Sequence, residues 1–205
     1  MKKIVFLFGL FLVFSCNQQK ILTSENQFAL QEIKKFQNEL INEWNQPETT
    51  PLKENEKAGF QGIHFFPIDL KYRINADFSP IKNGTIHPFP TSANRIKQYK
   101  EYGKINFSID NQEFELTIYQ SDPPIKDYES SLFLPFFDET NGETSYGGGR
   151  YLDLEISDIQ NGKILIDFNQ AYNPYCAYSN YYNCPIPPAN NYLETEIKAG
   201  VSYKQ

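Results

Sequence analysis

The residues best suited to chemistry lie in the second half of the chain, between residues 133 and 188. There, three glycines follow Tyr146 and precede Arg150. Glycines let a backbone approach a ligand and point successive N–H groups at an anion, and an arginine can pair with that anion through two hydrogen bonds. The glycine spacing matches neither common nucleotide-binding pattern. The alternative is a bulged turn whose arginine pairs with an internal carboxylate such as Asp153 or Asp167.

A loop rich in tyrosine and asparagine follows at residues 172–182. Such side chains provide flat stacking faces and neutral hydrogen-bonding groups at low entropic cost, as in many binding loops. A polar small molecule or a glycan is one expected occupant. The alternative is a compact loop held by its own side chains. The residues expected to contact a ligand here are Tyr146, Arg150, Asp167, Asn169 and Asn173.

Three aspartates of this segment, Asp138, Asp153 and Asp167, are candidates for general acid–base catalysis. Their spacing in the sequence does not place any two at a catalytic separation. A Ser-His-Asp triad is not indicated, because the G-x-S-x-G pattern is absent. The sequence therefore leaves open whether the protein is an enzyme.

Cys176 and Cys184 are expected to form a disulfide in an oxidising compartment. Closing a loop of about nine residues would stabilise the fold by roughly 2.5 kcal/mol. The alternatives are a redox pair and a metal pair. A redox pair usually has C-x-x-C spacing, and the two histidines of the chain, His64 and His87, do not lie at a metal-binding spacing. We therefore expect no metal and no other cofactor.

The N-terminus predicts export and a lipid anchor. Lys2 and Lys3 precede an apolar run that ends at Phe14, and Ser15 and Cys16 follow. This is the order of regions in a signal peptide, and the run is too short to cross a hydrocarbon core of about 30 Å. The end of the run resembles a bacterial lipobox, in which the cysteine is lipidated and becomes the first residue. The alternative is a secreted protein without a lipid.

We accordingly expect a signal peptide at residues 1–15, a polar tether at 16–23 and a single β-rich domain at 24–205. Removing the signal leaves 17 basic and 25 acidic residues, a net charge of about −8. This charge disfavours nucleic acids, so the expected membrane contact is the lipid on Cys16. No acidic run follows Cys16, which favours a cell-envelope protein that faces the periplasm.

The apolar pattern changes period along the chain. A stripe with helical spacing predicts an amphipathic helix that begins at Ser24 and ends before Pro47. Alternating apolar residues then predict strands separated by Gly, Pro and Asn turns. We expect a mainly β fold, an antiparallel β-sandwich or barrel with one N-terminal amphipathic α-helix. The predicted strands are residues 60–69, 72–78, 105–109, 114–118, 132–137, 151–156, 164–168 and 193–197.

From Phe60 to its C-terminus the chain resembles domain of unknown function 1684, a family of bacterial proteins that are often lipoproteins. The resemblance implies kinship but no particular chemistry. The motifs that carry it are LPF-x-D at residues 134–138, YGGGRYLDL at 146–154, DFN at 167–169, AYNPYCAY at 171–178, CPIPP at 184–188 and the Ala199-Gly200 ending.

The chain departs from the family pattern at two positions. Many members have Glu-Thr directly before the YGGGRY tyrosine, where this chain has Thr144-Ser145. Many also have Glu-Asn after the double proline, where this chain has Asn190-Asn191. If either glutamate is a general acid or base in relatives, this chain lacks it at that position.

Three hypotheses follow. The first is an envelope lipoprotein that binds a small polar or anionic ligand between the glycine turn and the tyrosine-rich loop. The second is a structural or protein-interaction module of the envelope. The third is a hydrolase that uses two of the three aspartates, with Arg150 as an electrostatic stabiliser.

Overall fold

The computed structural model describes residues 14–93 and 95–203, and residues 14–23 only in their backbone. Of the predicted signal peptide, residues 1–13 lie outside the described residues. The side chain of Cys16 lies outside them as well, so export and lipidation stay predictions. Where the chain is described, it contains no helix with the length and apolar character needed to span a bilayer.

The N-terminal helix, α1 (Phe14–Asn45), ends before Pro47 as predicted. It begins at Phe14 rather than at Ser24, because no glycine or proline interrupts the residues before Ser24. Ile33 and Trp44 on its apolar stripe are buried. A second helix, α2 (Glu54–Lys57), spans a single turn.

A curled antiparallel sheet forms a half-barrel, which confirms the mainly β fold with one long N-terminal helix. The strands are β1 (His64–Phe65), β2 (Arg73–Pro80), β3 (Ile86–Pro90), β4 (Ile96–Ile109), β5 (Gln112–Ser121), β6 (Ser131–Asp138), β7 (Arg150–Glu155), β8 (Lys163–Asp167), β9 (Tyr192–Leu193) and β10 (Val201–Ser202). The strand order of the sheet is β7-β6-β5-β4-β2-β8, with β3 paired to β4 and the short β9 paired in parallel to β6. A separate pair joins β1 to β10.

The predicted hairpin of residues 105–118 is confirmed. Ile109 pairs with Gln112, and Asp110 and Asn111 turn the chain with φ angles of 50° and 65°. Asn and Asp tolerate this left-handed backbone, which matches the twist of the flanking strands. Ile105 and Phe107 are buried while their neighbours are exposed, so the alternating pattern sets the faces of the sheet.

Two strand predictions are too long, the strand predicted at 105–109 begins already at Ile96, and the short strands β3 and β10 were not predicted. Within residues 60–69 only His64 and Phe65 form a strand, and within 193–197 only Leu193 does. Strand β3 was missed because its two prolines disfavour a strand. It lies at an edge and pairs only with β4, where a missing N–H is tolerated.

The two faces of the sheet differ in character. The core face buries aliphatic side chains such as Leu116, Leu134 and Ile166. On the opposite face lies an aromatic cluster, in which the ring of Phe133 is 5.1 Å from that of Tyr99 and 4.8 Å from that of Tyr151. Because side chains alternate along a strand, Asp153 of β7 shares this second face with Tyr151.

Candidate functional site

Arg150 begins β7 and is completely buried. Its Nη2 donates to Asp138 Oδ2 at 2.7 Å and to the carbonyl of Ile197 at 2.7 Å, while Nη1 donates to the carbonyl of Ala199. The ring of Phe136 lies 5.3 Å from the guanidinium carbon. The structure thus realises the alternative of an internally paired arginine, with Asp138 rather than Asp153 or Asp167 as its partner. Arg150 exposes no surface to a ligand.

The glycines before Arg150 let the chain pack against itself. Gly149 has a φ of 84°, and a Cβ there would lie 2.9 Å from the carbonyl oxygen of Phe136 and 2.6 Å from Pro187 Cγ. Only glycine combines this backbone angle with such close approach. The turn is packed against protein, and this removes the support for an anion site there.

Asp138 is likewise enclosed, with 2% of its surface exposed. Besides Arg150, it accepts hydrogen bonds from the N–H and hydroxyl of Thr140 and from the N–H of Ile197. Both oxygens of the carboxylate accept hydrogen bonds inside the protein, Oδ1 from Thr140 and Ile197 and Oδ2 from Arg150. Asp138 therefore holds motif segments together and is not open to a substrate.

Asp167 and Asn169 form a second internal network. Asp167 pairs with Arg73 at 2.8 Å, and Arg73 also pairs with Glu32 of α1 at 2.6 Å. Asn169 donates to Asp167 and exchanges two hydrogen bonds with the backbone of Asp69. The ion pair between Arg73 and Glu32 attaches α1 to the sheet. Both predicted ligand contacts, Asp167 and Asn169, therefore make their hydrogen bonds within the protein.

The last two predicted contacts lie beside the tyrosine loop, residues 172–182. Tyr146 packs edge-on against Tyr203 and makes a long hydrogen bond of 3.5 Å to the carbonyl of Cys176. Asn173 is 3% exposed. Its Nδ2 donates to the Tyr178 hydroxyl at 2.8 Å, and its Oδ1 accepts no hydrogen bond.

The expected disulfide joins Cys176 to Cys184, with 6.1 Å between their Cα atoms. It closes the end of the tyrosine loop, and this confirms the prediction. Ser92 on the neighbouring segment donates to the Cys176 sulfur at 2.9 Å. The loop is thus fixed at its far end by a covalent bond and by the segment after β3.

An open cavity of about 670 Å³ lies between α1, the tyrosine loop and the aromatic face of β7. Asn173 and Asp153 line it, whereas Arg150, Asp138, Asp167, Asn169 and Tyr146 do not. Six tyrosines and Trp44 dominate its walls. The polar and aromatic lining includes Glu43, Trp44, Lys97, Tyr151, Asp153, Tyr172, Asn173, Tyr175, Tyr178, Tyr181, Tyr182 and Asn183.

Helix α1 forms one wall of this cavity and is attached to the loop at its C-terminal end. Tyr175 donates to Glu43 Oε1 at 2.6 Å, and Tyr182 donates to the carbonyl of Pro51 at 2.7 Å. Trp44 meets the ring of Tyr178 edge-on at 4.7 Å. Glu43 and Trp44 are not among the site residues predicted from the sequence, although the apolar stripe that ends at Trp44 indicates that this ring lies on the packed face of the helix.

The carboxylate of Asp153 lies on the cavity wall beside Tyr172. Tyr172 donates to Asp153 Oδ2 at 2.8 Å. Asp153 reaches solvent, but protein surrounds it on most sides, and this desolvation raises the pKa of its carboxyl. Burial raises the pKa of Tyr178 to about 12, and burial followed by the charge of Asp153 raises the pKa of Tyr172 well above its ordinary value. The hydroxyls are therefore neutral hydrogen-bonding groups at physiological pH.

A family model and a solved structure are both similar to this chain. A family model described as protein of unknown function (DUF1684) matches residues 58–202. The chain belongs to this family. A similar solved structure is the solution NMR structure of an uncharacterized protein of Haloarcula marismortui, 30% identical, with a TM-score of 0.68. The similarity covers 88% of this chain and 97% of the other. No curated protein matches the chain.

In this DUF1684 protein the motif residues mostly build the fold. LPF-x-D supplies Asp138, YGGGRYLDL supplies Arg150, and DFN supplies Asp167 and Asn169 of the two buried networks. AYNPYCAY supplies Asn173 and part of the tyrosine loop, and so contributes to the cavity. The match begins at residue 58, whereas Glu43 and Trp44 precede it.

Of the three candidate aspartates of the DUF1684 protein, only Asp153 lines this cavity. Asp138 and Asp167 lie in separate ion pairs, with Arg150 and with Arg73. Asp153 and Asp167 both line a second concavity of about 620 Å³, but Asp167 is already paired with Arg73 there. The geometry therefore favours a structural role for Asp167 over a paired-aspartate hydrolase. In the described part of the chain, no cluster of three His, Cys, Asp or Glu side chains is arranged to hold a metal ion.

Proposed function

We propose that this protein is a lipid-anchored protein of the cell envelope that binds a small polar molecule in the cavity between α1 and the tyrosine loop. The cavity itself is the observation that carries the proposal. Its volume of about 670 Å³ lies within the usual range of roughly 300–1,000 Å³ for ligand sites. Aromatic walls with a few polar groups are typical of such sites.

The walls offer the two kinds of contact that a polar ligand needs. Rings such as Tyr151 and Tyr181 provide flat apolar area, and aromatic rings bind with little loss of side-chain entropy. Asp153, Asn173 and Asn183 provide polar groups at separate points of the lining, which can fix the orientation of a ligand. We therefore propose the binding site on the opposite side of β7 from the glycine turn, because Arg150 is enclosed at that turn.

The lipid anchor is the second part of the proposal and is supported by the signal-like N-terminus and by Cys16. The disulfide agrees with an oxidising compartment, because such bonds persist mainly outside the cytoplasm. The lipid would hold the cavity near the membrane from which the protein is suspended.

The test is native mass spectrometry of the full mature protein extracted from its own membranes. We expect an excess mass from a co-purified small molecule, and we expect it to be reduced in Tyr172→Phe. Tyr192→Phe is the matched control, because Tyr192 also donates to a carboxylate, that of Glu139, but lies outside the cavity lining. An absence of bound molecules, together with an absence of binding in a fragment screen, would overturn the proposal.

A further inference from the structure

We infer that the ligand carries a positive charge, an organic ammonium group bound against Asp153. The inference rests on the proposed function and adds the chemical class of the ligand. Three independent features of the cavity carry it: its carboxylates, an acceptor atom without a donor, and its ring faces.

Two carboxylates line the cavity from different elements, Asp153 from β7 and Glu43 from α1. Each accepts a hydrogen bond from a tyrosine hydroxyl, Asp153 from Tyr172 and Glu43 from Tyr175. Because a hydroxyl is neutral, these bonds do not cancel the negative charge of the carboxylates. Neither pairs with a basic side chain in the described part of the chain. Lys97 is the basic residue among the lining side chains, and it lies on an exposed position of β4 without an ion pair to either carboxylate. The cavity therefore has a net negative charge.

Asn173 gives the second observation. Its side chain lines the cavity, is nearly completely buried, and has an Oδ1 atom with no hydrogen-bond donor. A buried acceptor without a donor is unfavourable, so such an atom is usually paired in the functional state. Together with the carboxylates it makes the polar lining rich in acceptors. A ligand that donates hydrogen bonds fits this lining better than one that accepts them.

The rings give the third observation. Tyr151 and Tyr172 flank Asp153 on the cavity wall, and tyrosine faces attract cations through their negative electrostatic surface. Two further concavities, of about 620 Å³ and 250 Å³, also reach Asp153. The ammonium group would occupy the junction at Asp153 while the rest of the ligand extends into an adjoining space. Desolvation of the Asp153 carboxylate adds to the benefit of a bound cation.

The test compares probes of equal shape and different charge on the full mature protein in detergent. The probes are choline, its neutral isostere 3,3-dimethylbutan-1-ol and the anion 3,3-dimethylbutanoate, within a fragment set that also contains sugars and larger amines. We expect choline to bind at least ten times more tightly than the neutral isostere in an NMR titration. Asp153→Asn should remove this preference, while Asp77→Asn, an exposed aspartate paired with Lys163, should keep it.

The outcomes separate the two proposals. Binding of sugars, alcohols or carboxylates without preference for amines, and without an effect of Asp153→Asn, would overturn the inference and leave the proposed function standing. Binding by no probe would overturn both. A preference for cations that disappears only in Asp153→Asn would establish the ligand class.

Discussion

Asp138 Oδ2 and Arg150 Nη2 are 2.7 Å apart, and neither side chain has any surface exposed to solvent. This ion pair joins the end of β6 to the start of β7. Through the carbonyls of Ile197 and Ala199 it also holds the C-terminal segment. It therefore fixes three parts of the chain around one guanidinium group.

Breaking this pair should strongly destabilise the protein. Arg150→Met leaves the Asp138 charge buried without a partner, and such a loss typically lowers the free energy of unfolding by about 3–5 kcal/mol. Urea unfolding measures the change. Lys163→Met, which breaks an exposed ion pair with Asp77, is the control and should cost less than about 1 kcal/mol. A folded Arg150→Met protein with unchanged stability and lost ligand binding would instead restore Arg150 as a ligand contact.

Two glycines with the same φ angle should respond differently to alanine. Gly149→Ala should lower the free energy of unfolding by about 2–4 kcal/mol, because strained backbone and steric overlap with Pro187 add together. Gly142 also has a φ of 84°, but nothing lies within 4 Å of its added Cβ. Gly142→Ala should therefore show only the backbone strain, about 1 kcal/mol. Equal losses in thermal or urea unfolding would contradict the close packing of the glycine turn.

Removing the disulfide should affect both stability and binding. Cys176→Ser with Cys184→Ser should lower the free energy of unfolding by roughly 2–3 kcal/mol, because the unfolded chain regains the freedom of the short loop. The tyrosine loop then loses its covalent closure, and we expect weaker ligand binding in the same variant. Thiol titration of the wild-type protein after denaturation should find neither cysteine free. Two reactive thiols there would refute the bond.

The pKa of Asp153 predicts a stability that falls as the pH rises. Folding raises this pKa, so the folded protein holds the proton more tightly than the unfolded chain. The resulting destabilisation begins near the unfolded pKa of about 3.9 and is complete above the folded pKa. Asp153→Asn should therefore be more stable than wild type at pH 7, with the difference vanishing near pH 3. Urea unfolding at both pH values checks this, and a variant less stable than wild type at pH 7 would show that the charge is compensated.

The lipid anchor predicts a specific effect at Cys16. Cys16→Ala should prevent lipidation, so the protein expressed from its own gene should lose incorporation of radiolabelled palmitate and retain its signal segment. Asn17→Ala, the neighbouring change, should keep both processing steps. Palmitate incorporation that is absent from the wild-type protein, with a soluble processed form in its place, would indicate the secreted alternative.

Local patterns in the sequence predict much of the fold. Alternation at Ile105 and Phe107 gave the central hairpin, and the apolar stripe ending at Trp44 gave the long helix. The pairing of Arg150 with an internal carboxylate was foreseen as an alternative, but its partner was not. Asp138 is 12 residues away, and the choice among three aspartates depends on which one the turn brings across to β7.

The site was harder to predict because its walls come from distant parts of the chain. Tyr175 reaches Glu43 across 132 residues. No local pattern encodes such a contact, and each residue alone has an ordinary structural explanation. Asn173 was identified because it lies in the distinctive tyrosine loop. Asp153 is a catalytic candidate from its carboxylate alone, whereas its place in the cavity lining leads us to propose a binding role.

The position of α1 has a consequence for how relatives can differ. The Arg150 network lies within the residues that the family model matches, whereas the helical wall of the cavity precedes them. Mutation can therefore alter the wall at Glu43 and Trp44 without disturbing the residues that hold the sheet together. Under the proposed function, a few changes in the first helix would alter the choice of ligand while every family motif is kept.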